Sequence, residues 1–242
     1  MRKVRTLSKH LKRLDLSRAI QVPRKEYKFA TKPRAGPHPN EESIALGMLI
    51  RDYLHLSDTM WETKKILVKR TVRVNGKVET DHKYPVGFMD VISIPEIKKY
   101  YRVLYDTLGR LRLVEIGEED SKWKLSRIED ISTVKGGKFQ YHLHDGRNLL
   151  LEKKLYSTGD TLQIDLEKGD IISHIPLAEN NYAFITGGKN VGRIGRIESY
   201  KVVNAITPNM VKFKEGFETS KDNVFPIGTV RPLVQPPEVK VE

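Results

Sequence analysis

The chain has 242 residues, 38% hydrophobic and 31% charged, which is enough for one large domain or two to three small ones and is not a disordered composition. Its longest apolar runs span a few residues, as in LLL at 149–151, so no segment can cross a membrane as a helix, and the basic start MRKVRTLSKHLKRL lacks the apolar stretch of a secretory signal. There is no cysteine, which excludes disulfides, thiolate zinc sites and cysteine nucleophiles, and the net charge of +12 is spread very unevenly.

Residues 1–39 hold 12 Lys and Arg against Asp15 and Glu26, a net of +10; the remainder, with 31 basic and 29 acidic groups, adds only +2. So concentrated an excess points to a polyanionic partner. Leu7, Leu11, Leu14, Tyr27 and Phe29 are interleaved with the charges, and Pro23, Pro33, Pro37 and Pro39 forbid a long helix beyond residue 22. The expectation is an extended arm, disordered in the free protein, that orders on nucleic acid.

From Asn40 the pattern changes. NEESIALGMLIRDYL predicts a helix capped by Asn40, with Ile44, Leu46, Met48, Leu49, Tyr53 and Leu54 on its apolar face. A second helix is predicted from Thr59, which has capping-box spacing to Glu62; Ile66 and Leu67 face inward and Lys64, Lys65 and Lys69 outward. TVRVNGKVETD reads as strand, Asn75-Gly76 turn, strand, and DVISIP as a strand closed by Pro95. Beyond it, strands alternate about turns near Gly109, Asp145-Gly146 and Gly169, at a spacing that suggests small β-barrels. The tail QPPEVKVE is expected to be loose.

The loop ITGGKNVGRIG (185–195) places Gly187 and Gly192 at the spacing of the fixed glycines of a phosphate-binding loop. That chemistry needs Lys and Ser or Thr next, and then a helix whose N-terminus holds the anion. Here Arg193 and Ile194 follow, and the β-branched run GRIGRIESYKVV reads as a strand, so the element is strand–loop–strand and holds no nucleotide. No dinucleotide fingerprint or Gly-x-Ser-x-Gly elbow is present. His142 and His144 could share a strand face as metal ligands, but no third ligand is near and a solvent-facing strand is the commoner outcome; the run Glu118-Glu119-Asp120 reads as a surface turn.

The ITGGKNVGRIGRI loop resembles the KOW motif of SH3-like barrels in ribosomal proteins and elongation factors, with Lys189, Asn190, Gly192 and Arg193 on the loop that meets RNA. Residues 40–95 resemble the S-four-type RNA-binding fold, with its basic helix and VNGK-like turn carrying Lys77. Taken in order, HLKRL, RAGPH, RDYL, KKIL, YPVGFMDVISIP, TVKGGK, LHDGRN and the glycine loop resemble the archaeal and eukaryotic small-subunit ribosomal proteins of the S-four-e family over nearly the whole chain. The arm lacks the Trp frequent in that family near Ser17–Ile20, and the short C-terminal end is of the archaeal type.

The resemblance implies an α+β protein: a basic arm (1–39), an S-four-type module (40–105), a central β-rich domain (106–175), a KOW-bearing SH3-like barrel (176–235) and a tail (236–242). It implies a cytoplasmic, non-catalytic constituent of the small subunit. Its partners would be ribosomal RNA and neighbouring ribosomal proteins, with no membrane and no nucleotide or other cofactor. The residues expected to meet RNA are Lys3, Arg5, Lys12, Arg13, Arg24, Lys25 and Arg34 in the arm, then Lys64, Lys65, Lys69, Arg73 and Lys77, then the glycine loop. Two rivals are an RNA-modifying enzyme with an S-four module, for which the β-rich remainder is too fragmented, and a KOW-containing transcription elongation factor, against which the arm and the S-four module argue.

Overall fold

The computed structural model of the chain describes residues 10–201 and 209–237. In the arm, β1 (Leu11–Lys12) pairs antiparallel with β2 (Phe29–Ala30). Next come β3 (Ser43–Ala45), a helical turn α1 (Leu46–Met48) and helix α2 (Met60–Val68). Strands β4 (Arg73–Val74), β5 (Lys77–Val78), β6 (Pro85–Gly87), β7 (Val91–Ile94), β8 (Lys99–Tyr105) and β9 (Leu111–Glu115) follow. All but β6 form a sheet in the order β5-β4-β7-β8-β9, and β6 pairs with β3. The described chain is mostly strand with few helices, an α+β protein.

The second sheet is built from β10 (Trp123–Val134), β11 (Lys138–Leu143), β12 (Asn148–Leu151), β13 (Thr161–Asp165) and β14 (Ile171–Ile175), in the order β12-β11-β10-β13-β14. The third comprises β15 (Tyr182–Ile185), β16 (Ile194–Lys201), β17 (Met210–Phe213), β18 (Glu218–Ser220) and β19 (Val224–Gly228), in the order β18-β17-β16-β15-β19. All pairings are antiparallel, and the long strands β10 and β16 each carry a register shift, at Ile128/Asp130 and Ile197/Ser199. Such a bulge bends a strand and lets it serve two curved halves of a sheet.

The turn signals in the sequence are met where glycine or Asn supplies positive φ. Asn75 (50°) and Gly76 (78°) give the left-handed pair a two-residue hairpin needs between β4 and β5.

Three expectations are corrected. Asn40 caps no helix: Ser43–Ala45 pair with Pro85–Gly87, and the N–H groups of Leu46 and Gly47 donate to the Tyr84 and His82 carbonyls at 2.9 and 2.8 Å. Every residue from Ser43 to Ile50 is buried, so an amphipathic helix had no polar face to show here, and sheet pairing overrode the periodicity. The helical turn then widens, with the Leu54 N–H reaching back five residues to the Leu49 carbonyl at 3.0 Å. Second, β8 and β9 pair from Tyr105↔Leu111 to Tyr101↔Glu115, so the first sheet runs across the boundary expected at 105/106.

The third correction concerns the arm. Leu16, Ile20 and Val22 are buried in the same core as Ile44, Leu49, Phe88 and Phe184. Leu111 N–H donates to the Ala19 carbonyl (2.8 Å), Gln21 N–H to Tyr53 Oη (2.8 Å) and Arg34 N–H to the Lys83 carbonyl (2.9 Å). Residues 10–39 are therefore part of the folded body and not a free arm, because enough aliphatic surface is buried to offset the ordering entropy. Residues 1–9, with Leu7, and residues 238–242 of the expected loose tail lie outside the described residues.

The sheets are also bonded to one another. Arg102 on β8 lies over the Trp123 ring, 4.2 Å from its centroid, and donates to the Asp120 and Trp123 carbonyls at 2.8 and 3.0 Å. Arg127 on β10 donates to the Asp222 and Val224 carbonyls, both at 2.7 Å, fastening the second sheet to the third.

Candidate nucleic-acid interface

Helix α2 begins with the predicted capping box. Thr59 Oγ1 accepts the Glu62 N–H at 3.3 Å, and Glu62 Oε2 accepts the Thr59 and Asp58 N–H groups at 3.1 and 3.0 Å. Those two N–H bonds, Thr59 first, hold the Glu62 carboxyl below its usual range. Thr63 and Leu67 turn inward and Ile66 packs at the core edge, so Trp61, Lys64, Lys65, Val68 and Lys69 are left on the exposed face. Arg70 ends the helix in the left-handed conformation (φ 61°), and Arg73 and Lys77 follow on β4 and β5.

The six cations Lys64, Lys65, Lys69, Arg70, Arg73 and Lys77 are all exposed, and none forms an ion pair among the described residues. Glu62 and Glu79 act on this row only from a distance, on Lys65 and Lys77; positive charge at this density is what a phosphate backbone neutralises. Arg70 and Trp61 were not anticipated from the sequence, although Trp61, Lys65 and Val68 fall on one helical stripe opposite Thr63 and Leu67.

In the arm the expected contacts divide. Arg13 is fully buried; its guanidinium donates to the Pro23 carbonyl and pairs with Glu26 at 3.3 Å. Arg24 donates to the Leu16 and Ser17 carbonyls at 2.7 and 2.9 Å. Both staple the arm to itself, which removes Arg13 from any surface. Lys12 and Lys25 are exposed, and Arg34 is exposed while pairing with Asp81 at 3.1 Å. Arg34 also lines an open cleft of about 660 Å³ with Lys32, His38 and Lys83. Lys3 and Arg5 lie outside the described residues.

The glycine loop joins β15 to β16. Gly192 is buried at φ 78°, its N–H donates to the Ile185 carbonyl at 2.8 Å, and a β-carbon there would strike the Asp106 carbonyl between β8 and β9. Gly192 thus seats the loop on the first sheet, leaving Lys189 and Arg193 exposed and Asn190 half-buried. Arg193 N–H is spent on the Asn190 carbonyl at 3.3 Å, Arg193 and Ile194 stand where a nucleotide loop needs Lys and Ser or Thr, and strand β16 follows in place of a helix. Calorimetry with ATP or GTP and magnesium is expected to register no binding; micromolar affinity would overturn this reading.

The motifs RAGPH, VGFMDVISI and HDGRN converge on one buried cluster. Asp90 Oδ1 accepts from Asn75 Nδ2 (2.8 Å) and Lys124 Nζ (3.0 Å), while Oδ2 accepts from His38 Nε2–H (2.9 Å) and Gly87 N–H (3.0 Å). Lys124 Nζ also meets Asp145 Oδ2 at 2.7 Å. The side chains of Lys124 and Asp90 are wholly closed from solvent and that of Asp145 nearly so. Burial works to raise both carboxyls, but the Lys124 ammonium and the surrounding donors outweigh it and hold Asp90 and Asp145 below their usual range. His144 accepts the Arg127 N–H at Nδ1 (3.2 Å) and faces the Phe88 carbonyl through Nε2 (3.4 Å); burial first and Lys124 second depress its pKa and keep it neutral. His142 is bound instead to Ser132 and Asn148, so the two histidines do not act as a pair, and no cluster of three metal-ligating side chains occurs among the described residues. This cluster is an interlock of arm, first sheet and second sheet.

Two family models match the chain, the RS4NT (NUC023) domain over residues 5–41 and Ribosomal family S4e over residues 97–171. The chain is 42% identical over 242 residues to the small ribosomal subunit protein eS4 of Staphylothermus marinus, covering 95% of this chain and 96% of that one. It is 39% identical over 239 residues to the eS4 protein of Methanocaldococcus jannaschii, covering 94% and 97%. A crystal structure of the 30S ribosomal protein S4e from Thermoplasma acidophilum superposes with a TM-score of 0.69 at 37% identity, over 78% of this chain and 96% of that one. With this identity along almost its full length, the chain belongs to the ribosomal S4e family.

Proposed function

We propose that the chain is a structural, non-catalytic constituent of the small ribosomal subunit in the cytoplasm, bound to small-subunit ribosomal RNA and to neighbouring ribosomal proteins. The observation that carries the RNA reading is the row of six exposed cations from Lys64 to Lys77, none in an ion pair among the described residues. Residues 40–115 serve as the S4-type module, longer than expected by strand β9. The third sheet serves as the SH3-like barrel, presenting Lys189, Asn190 and Arg193 on a KOW loop that Gly192 holds in place. Lys12, Lys25 and Arg34 add contacts from the arm, while Arg13 and Arg24 act inside it.

Salt dependence is the direct test. Each phosphate neutralised contributes about 0.7–0.9 to the slope of log K against log salt. Replacing Lys64, Lys65 and Lys69 with Ala is expected to flatten the slope for small-subunit ribosomal RNA by about 2–3. All three side chains are exposed on a capped helix, so the thermal transition should hold. An unchanged slope would place the RNA surface elsewhere.

A further inference from the structure

Trp61 is 65% exposed, the largest apolar ring left on α2, and belongs to none of the three apolar clusters of the described residues. The Lys65 ammonium sits 3.4 Å from the centroid of its ring, covering one face. Val68 lies one turn beyond Lys65 on the same stripe and is 71% exposed. A single exposed apolar side chain needs no explanation, but an indole and a valine exposed on one stripe and rimmed by Lys64, Lys65 and Lys69 mark an interaction site.

The charges around it select the partner. Lys64, Lys65 and Lys69 flank the ring and form no ion pair among the described residues; Glu62, the one acid on the helix, acts on Lys65 only at a distance, its carboxylate being engaged by the Thr59 and Asp58 N–H groups. Protein interfaces are depleted in lysine at their centre, whereas single-stranded nucleic acid is bound by aromatic platforms set among cations. Paired bases are already stacked on each other, so an isolated exposed indole gains most from a base that is splayed out of its helix.

We infer that Trp61 is a stacking platform for one unpaired base of the ribosomal RNA, with Lys64, Lys65 and Lys69 on the flanking phosphates. This rests on the RNA-binding reading above and adds to it a contact with a base. The Lys65 ammonium, packed on one ring face, fixes the plane of the indole and leaves the opposite face to the base.

The test uses the full chain and small-subunit ribosomal RNA, with Trp61→Ala, Trp61→Phe and the triple lysine variant. Trp61→Ala is expected to weaken binding about five- to 150-fold at fixed salt while leaving the salt slope unchanged, because stacking releases no counterions. Trp61→Phe should retain most of the affinity. The fluorescence difference between the intact protein and Trp61→Phe isolates the Trp61 emission from that of Trp123, and RNA should quench it. If intact protein and Trp61→Ala bind RNA equally with the lysine-dependent slope still present, the stacking role is wrong and the RNA-binding reading stands. If the intact protein shows no salt-dependent binding, the RNA-binding reading itself fails. Quenching by neighbouring ribosomal proteins without RNA, and none with RNA, would make Trp61 a protein contact and overturn the proposal.

Discussion

Replacing Lys124 with Ala is expected to destabilise the protein by about 3–5 kcal/mol at neutral pH, because it leaves Asp90 and Asp145 buried with no cation between them. That is a large share of the roughly 5–15 kcal/mol by which domains are stable. The pH dependence separates this mechanism from simple loss of packing. In the intact protein both carboxyls titrate below their unfolded values, so their contribution is present above the unfolded carboxylate pKa and is lost as pH falls toward the folded values. His144, held neutral by burial and by Lys124, adds a loss of its own, since the unfolded chain takes up its proton first as pH falls below about 6.5. Without Lys124 the largest opposing charge is gone: burial raises the carboxyls against only the weaker pull of His38, Arg147 and the neutral donors, and His144 beside two carboxylates favours its charged form. The deficit of the variant relative to the intact protein should therefore shrink on going from pH 7 to pH 5. Urea denaturation across that range, with the His144 ring followed by NMR, reads both effects. A deficit below about 1 kcal/mol, or one that does not vary with pH, would mean that the cluster is hydrated and not closed.

The sequence carried the parts of this structure that are decided locally. The Asn75-Gly76 hairpin, the Thr59–Glu62 cap and the turns at Gly109 and Gly146 are each set by a few neighbouring residues whose backbone chemistry admits few alternatives. Asn75 shows where local reading stops. It was legible as a turn residue, but its amide also donates to Asp90 and accepts the Val91 N–H, a second duty that appears only in three dimensions. Lys124 stands 34 residues from Asp90 and 21 from Asp145, in a stretch where a lysine reads as an ordinary solvent-facing strand residue. Its burial follows from the way the second sheet docks on the first. The strand at Ser43–Ala45 was likewise hidden, because its pairing partner Pro85–Gly87 lies some 40 residues on and its apolar pattern suits a helix equally well. The lysines proposed to face RNA were picked out by composition, and Arg13 was not separable from them, since nothing local says that Glu26 will return beside it.

Removing residues 1–39 is expected to cost the protein its fold, where composition alone would have a charged arm be dispensable. Leu16, Ile20 and Val22 each leave the core, at about 1.5–3 kcal/mol per side chain, so the deletion costs about 5–9 kcal/mol before other contacts are counted. It also takes His38 from Asp90, leaves Tyr53 without the Gln21 N–H and opens the space over Gly87, where the His38 ring packs so closely that a β-carbon would not fit. A shorter deletion separates charge from folding. Residues 1–9 contain Arg2, Lys3, Arg5 and Lys9, so their removal takes away four positive charges and none of the buried side chains just named. That variant should keep the thermal transition of the intact protein while its salt slope for ribosomal RNA flattens by up to about 3. The longer deletion should show no cooperative transition, or one lowered by well over 10 °C. A melting temperature for the 1–39 deletion within a few degrees of the intact protein would mean that Leu16, Ile20 and Val22 cover a core that closes without them.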